Sequence, residues 1–231
     1  MLVLGIETAT SRLGLALWRD GRGLAELELD LGRRHCEKLL VELDGLLADL
    51  ELPASALSAI AVSQGPGSFT GLRIGLAFAK GLALALGCPL AGVPTLADLA
   101  AGAAPWEGPL VACLDARRGE VYFSACVLQP GGEVELGEVR AGGPEDVAAA
   151  SSALGSRVLI VGEGAAIVRP ALGPEAVIAP PSLALPRAAV VAALGAERLR
   201  TGGGEEPDHV EPIYVRRSDA EIRRGFLAGR A

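Results

Sequence analysis

Aromatic side chains are nearly missing: Phe, Tyr and Trp make up 3% of the 231 residues. A core without them must be built from Ala, Val, Leu and Ile, and the 31 glycines point to close backbone packing. Lysine is scarce too. Lys38 and Lys80 are the two present, so the positive charge is nearly all arginine. Histidine is limited to His35 and His209, and both read as surface residues. The four cysteines, Cys36, Cys88, Cys113 and Cys126, form no Cys-x-x-Cys pair. With so few histidines, no zinc-ligand spacing remains. A Ser/His/Asp set with credible spacing is also lacking. No basic leader precedes the first apolar run, so no signal peptide is expected. The most apolar stretch, Leu72–Leu86, is interrupted by Arg73 and Lys80 and reads as too short to span a bilayer. These absences lead to the expectation of a cytoplasmic protein with free thiols and no membrane contact.

Positive charge is short overall. The net charge of −7 argues against a chain that grips nucleic acid by its own surface. The densest basic segment is the tail, with Arg216, Arg217, Arg223, Arg224 and Arg230, but Asp219 and Glu221 interrupt it. It reads as a solvated terminal segment. Half the residues are hydrophobic, and the length suffices for one large domain or two small ones with a sizeable core.

What is present has a clear order. Leu2–Glu7, Leu13–Trp18 and Leu24–Asp30 read as strands, the last alternating apolar and charged residues. Cys36, Leu39, Leu40, Leu43, Leu46, Leu47 and Leu50 recur at three- and four-residue steps and predict an amphipathic helix ended by Pro53. Ile60–Ser63 is a strand, Thr70–Leu86 a helix stopped by Gly87 and Pro89, Leu90–Val93 a strand, and Thr95–Ala101 a further helix. After the Pro/Gly-rich Gly102–Pro109 the order begins again. Leu110–Leu114 and Val121–Leu128 are apolar, Glu133–Arg140 pairs with the latter across Pro130-Gly131-Gly132, Pro144–Leu154 is helical and Val158–Val161 is a strand. Strand-strand-strand-helix-strand therefore occurs twice. Each first strand ends on an acid, Glu7 or Asp115, and each fourth strand runs into a glycine turn. A helix over Arg187–Arg200 and a short strand at Ile213–Val215 complete the reading. The expected division is 1–104 and 105–231, with the last residues free to pack back on the first lobe.

Gly65-Pro66-Gly67-Ser68-Phe69-Thr70-Gly71 is the strongest local signal. It joins a strand to a helix, where glycines permit tight turns and free N–H groups can hold an anion. It lacks the Lys-Ser/Thr of a Walker loop, and Thr70 stands where a dinucleotide loop has its third glycine. It is either a phosphate-approach loop or a tight connection. Glu7, Thr8 and Thr10 end the first strand and either position a metal-bound phosphate or satisfy their own turn. If the repeats form two lobes, Glu7 and Asp115 are expected to face each other across a cleft. Gly71, Gly75 and Ala79 lie four apart and form a smooth stripe for a close helix neighbour, internal or from a second protein. The acids of the first helix, Glu37, Glu42, Asp44 and Asp49, are candidates to answer Arg73 and Lys80.

These residues resemble a known family. Ile6-Glu7-Thr8-Ala9-Thr10 resembles the opening phosphate loop of the actin/sugar-kinase/Hsp70 superfamily, whose two lobes are duplicated βββαβα units of α/β class. Ser63–Gly75 followed by Ala79-Lys80-Gly81-Leu82-Ala83 resembles the signature of the TsaB (YeaZ) family. Arg34-His35-Cys36-Glu37 is similar to the start of that family's first helix, with Cys36 where Ser is commoner. Leu114–Tyr122 is similar to its second-lobe hairpin, and Pro212–Arg216 to its C-terminal strand. The resemblance spans nearly the whole chain. It implies a non-catalytic subunit that supports the catalytic paralogue TsaD, together with a TsaE-type ATPase. Their task is transfer of threonylcarbamoyl to adenosine 37 of tRNAs reading ANN codons, with tRNA met only through the complex. TsaD carries a His-x-x-x-His metal motif where this chain has Val93–Leu99, so the metal site is expected to be absent. His35, Leu39, Gly71, Gly75 and Ala79 become candidates for the partner interface, or for a homodimer of the isolated chain. Glu7, Thr8, Thr10, Gly65, Gly67, Ser68 and Thr70 are the candidates for nucleotide. No cofactor of the chain's own is expected, ATP or ADP at a partner interface being the reserved possibility. The rival reading is an actin-like small-molecule kinase or ATPase using those same loops.

Overall fold

Leu2–Glu7 (β1) is buried along its whole length, both of its faces being covered, and is apolar up to the terminal Glu7. The computed structural model describes residues 1–30, 35–130, 132–155 and 157–216; the side chains of His35, Cys36 and Glu37 lie outside the described residues. Arg12–Arg19 (β2) and Arg22–Asp30 (β3) run antiparallel beside β1. The helix His35–Asp49 (α1) leads to Ala59–Gly65 (β4), which pairs parallel with β1. The helix Phe69–Leu86 (α2) follows. The Ser68 side chain caps its start, and Gly87 ends it in the left-handed conformation that lacks a steric cost for glycine. Leu90–Pro94 (β5) completes a sheet of order β3-β2-β1-β4-β5, and Thr95–Ala101 (α3) leaves it.

The second half repeats the plan. Gly108–Arg117 (β6) and Glu120–Leu128 (β7) form a hairpin, with Val134–Leu136 (β8) and Arg140–Gly142 (β9) both pairing with β7. Pro144–Ala153 (α4), Val158–Val161 (β10), Ala165–Val168 (α5) and Ala176–Ile178 (β11) follow. The order β11-β10-β6-β7-β8 is the mirror listing of the first sheet, with the same antiparallel and parallel pairs. The molecule is thus α/β with a duplicated sheet pair.

The two halves exchange covers. Leu4, Ile6, Leu15 and Leu17 bury one face of the first sheet against Leu39, Leu43 and Leu47 of α1 and Leu76 and Ala79 of α2. The other face is covered by Ala188–Arg200 (α6), which belongs to the second half. It lies close because the sheet offers small residues there. A Cβ on Gly5 would overlap Ala188, and Gly195 of α6 sits on Ala61. Conversely α3 packs Leu96, Leu99 and Ala100 on Leu110, Ala112 and Leu114 of the second sheet. Phe123, Ile160 and Val111 fill the opposite face with Val147 and Val168.

Three local expectations need correction. The strand expected over Glu133–Arg140 is broken into β8 and β9, because the pairing with β7 slips by one residue between them: Leu136 faces Cys126, but Arg140 faces Phe123. Ile213–Val215 is not a strand; its described link to the sheet region is the Ile213 N–H donated to Gln64 O at 2.6 Å. The helix expected over Thr70–Leu86 begins at Phe69 and contains the apolar stretch Leu72–Leu86 that reads as too short to span a bilayer. At 18 residues α2 is long and apolar enough, by length and composition, to cross a membrane, yet a third of it is buried on the sheet.

Candidate functional site

The end of β1 and the loop before α2 are in contact, as the paired motifs suggested. Their chemistry is turned inward. Ser68 N–H donates to Ala9 O at 2.6 Å, Gly65 N–H to Thr95 Oγ1 at 3.1 Å, and Gly71 N–H to Ser68 Oγ at 3.2 Å. A Cβ on Gly65, at φ +107°, would meet Ile213 O at 2.7 Å, and one on Gly67 would overlap Ala9 O. Two carbonyl oxygens of the chain therefore lie directly against the glycines of this loop. Gly65, Gly67 and Ser68 thus form a tight connection whose glycines make room for backbone. Thr70 is exposed on the first turn of α2. Thr10 Oγ1 accepts the Arg12 N–H at 3.2 Å and so closes its own turn.

Glu7 and Thr8 point to opposite faces. Thr8 N–H donates to Ser63 Oγ at 3.3 Å, and Thr8 Oγ1 lies buried against Gly75 without a hydrogen-bond partner. Glu7 is buried on the α6 side, its Oε1 accepting the Ala9 N–H at 2.5 Å while Oε2 has no partner. Burial pushes its carboxyl from 4.5 up to about 7; bonds from Ala9 and Ser63 oppose this, and Glu28 adds to it. Its acidic neighbour is Asp98 of α3, which is also buried and is held well above the usual carboxylate range, first by burial and next by the charge of Glu7. Both Asp98 oxygens accept the Arg187 N–H, at 3.3 and 3.1 Å. The acid that feels the charge of Glu7 is thus Asp98, carried by α3, which packs on both halves. Asp115 bonds the N–H and guanidinium of Arg117, at 2.6 and 3.1 Å, and its charge helps burial raise Glu163.

Among the described residues no three His, Cys, Asp or Glu side chains converge as metal ligands. In the Val93–Leu99 segment, Thr95 is spent on Gly65, and Leu96 and Leu99 are core. Cys88, Cys113 and Cys126 are free and buried, and burial raises each thiol.

The predicted interface stripe also faces inward. A Cβ on Gly71 would overlap Thr8 O, one on Gly75 would overlap Thr8 Oγ1, and Ala79 and Leu39 are buried. These four residues are corrected from partner contacts to internal packing; His35 lies outside the described side chains. The opposite side of α2 was missed. Arg73, Ala77, Gly81, Leu84 and Ala85 are exposed there, two residues out of phase with the buried stripe. On the neighbouring α1, Leu40 and Val41 are exposed at 58% and 61%, and Leu84 at 63%. Cβ atoms on Gly45 of α1 and Gly81 of α2 would meet nothing within 4 Å. The signal was present in the sequence, since α2 is apolar or small on most of its circumference, Thr70, Arg73 and Lys80 apart, and a second face had to go somewhere. Within the chain, the described contacts of Arg73 and Lys80 are with other groups than the acids of α1. The Arg73 guanidinium lies 3.9 Å over Phe69 and donates to Tyr214 Oη at 3.0 Å, while Lys80 reaches Asp208 O at 3.3 Å.

Two matched sheets with exchanged cover helices, joined beside the end of β1, define the two-lobed actin-like class. The family profile of TsaD, tRNA N6-adenosine threonylcarbamoyltransferase, matches residues 30–224. The tRNA threonylcarbamoyladenosine biosynthesis protein TsaB of Escherichia coli (strain K12) is 34% identical over 95% of this chain and 96% of its own. A solved structure of YeaZ from Pseudomonas aeruginosa has a TM-score of 0.82 at 33% identity, covering 92% of this chain and 99% of the other. The chain belongs to the TsaB (YeaZ) family.

Proposed function

We propose that this chain is the non-catalytic supporting subunit of a cytoplasmic complex that attaches threonylcarbamoyl to adenosine 37 of tRNAs reading ANN codons. It binds a TsaD-type catalytic subunit, works with a TsaE-type ATPase, and meets tRNA through the complex. The reading is carried by one observation: the outward apolar side of α1 and α2, with Leu40, Val41 and Leu84 in water. Large apolar side chains grouped on adjacent helices favour a protein cover, and the open glycines Gly45 and Gly81 let a partner helix come close. The loop filled by Ala9 and Ile213 carbonyls favours a supporting role over the kinase or ATPase alternative. ATP or ADP, where the complex needs it, is assigned to the joint with a partner. The test is co-purification of the tagged chain with the TsaD-type protein of its host. Wild type should retain it, and Leu84→Asp should lose it while melting within a degree or two of wild type. Undiminished co-purification by a folded Leu84→Asp protein would remove this surface from the proposal.

A further inference from the structure

Glu7 and Asp98 play no part in the surface above, and their setting is anomalous for carboxylates. They come from β1 and α3, both are buried, and their described hydrogen-bond donors are few and uncharged: the Ala9 N–H and the Ser63 hydroxyl for Glu7, and the Arg187 N–H for Asp98. Glu7 Oε2 has no donor at all. The charged groups facing them are Glu26 and Glu28 of β3, Arg12 of β2 and Arg187 ahead of α6. Both arginines are engaged elsewhere, Arg187 with Glu26 and Arg12 with Glu28 at 2.8 Å. Two ionised carboxylates in such a space repel each other without a cation between them, and burial penalises each separately. One proton removes a charge and turns the acid that carries it into a donor.

The same spot is where the two halves meet. Arg187 N–H reaches Asp98, and Ala189 N–H reaches Glu26 Oε1 at 2.9 Å, so acids of α3 and β3 hold the first turn of α6. Gly5 and Gly14 let Ala188 lie against β1 and β2 beside Glu7. We propose that Glu7 and Asp98 hold one buried proton between them, and that this proton fastens α3 and the start of α6 to the end of β1. Its loss leaves two like charges inside the junction and loosens it. Burial supports this direction, holding Glu7 near 7 against 4.5 for an ordinary glutamate. The folded value is the higher one. The stabilisation is therefore complete below the unfolded value, declines as pH rises through the folded one, and is absent above it.

The experiment compares the full chain with Glu7→Gln and Asp98→Asn, melted at intervals from about pH 5.5 to 9. The wild-type melting temperature should fall with pH by several degrees more than that of either variant, the three lying nearest each other at the acid end. Amide exchange at residues 187–192, corrected for its intrinsic pH dependence, should speed up in wild type as pH rises, while α4 stays unchanged. Infrared spectra of the wild type should show a neutral carboxyl band near pH 7 that disappears at alkaline pH. That band needs no substitution, so it decides the matter even where Glu7→Gln fails to fold. A missing neutral carboxyl band near pH 7, or melting curves that run parallel in all three proteins, would overturn the proposal.

Discussion

Gly75 and Gly81 lie in the same helix and serve opposite purposes. Gly75 exists because Thr8 Oγ1 occupies the place of its Cβ, whereas Gly81 faces open space. Helix propensity alone favours alanine at both positions by about 1 kcal/mol. At Gly75 the overlap with a buried β-branched side chain outweighs that gain, and Gly75→Ala should cost about 1–3 kcal/mol in denaturant unfolding. At Gly81 nothing opposes the propensity, so Gly81→Ala should raise stability by up to about 1 kcal/mol. A stabilised Gly75→Ala protein would contradict the packing of α2 on β1. The same scale shows why Glu7 misled the sequence reading. An acid at a strand end followed by hydroxyls looks like phosphate chemistry, and only the fold reveals that it is buried with one oxygen unpartnered and with a second buried acid, Asp98, near enough to feel its charge.

For the elements, sequence pattern was informative where one period dominated. The alternating β3, the leucine steps of α1 and the glycine stop of α2 all lie within a residue or two of the expected places. Pattern failed on α2 for a physical reason. Its two opposite faces are both small or apolar, Gly71-Gly75-Ala79 on one and Ala77-Gly81-Ala85 on the other, so periodicity cannot say which meets the sheet. Ala79→Leu decides the phase. It forces bulk into the cluster formed with Leu4, Leu15 and Leu43, and should lower stability by about 1–3 kcal/mol in denaturant unfolding. Unchanged stability would mean that the helix is rotated. The loop before α2 was equally illegible from sequence. Its glycines were visible, but the carbonyls of Ala9 and Ile213 that fill it arrive from distant parts of the chain. The break between β8 and β9 is a one-residue slip of register on β7, and Ile213 is tied by one backbone bond to Gln64; no periodicity records either.

In the molecule as a whole, the duplication could be read because element order is a property of sequence, and the two sheets share one strand order apart from the splitting of the third strand into β8 and β9 in the second. The exchange of α3 and α6 could not, since any small-faced apolar helix can cover either sheet. It makes each half incomplete. A fragment of residues 1–104 retains β1 to β5 but leaves Val3, Ala59, Ala61 and Val93 without α6. It should give broad, poorly dispersed amide NMR signals, and addition of the remaining chain should sharpen them; a well-dispersed spectrum from the fragment alone would refute the dependence. On the ribosome the same order of events becomes a matter of time. The first sheet is complete once Pro94 has emerged, but its second cover ends at Arg200. At ordinary elongation rates that interval is roughly 5–20 s. The face left waiting is lined largely by alanine and glycine, the residues that later admit α6, and such a face offers passing chains little to stick to. The small side chains that permit tight packing at the end also protect the nascent protein while it waits.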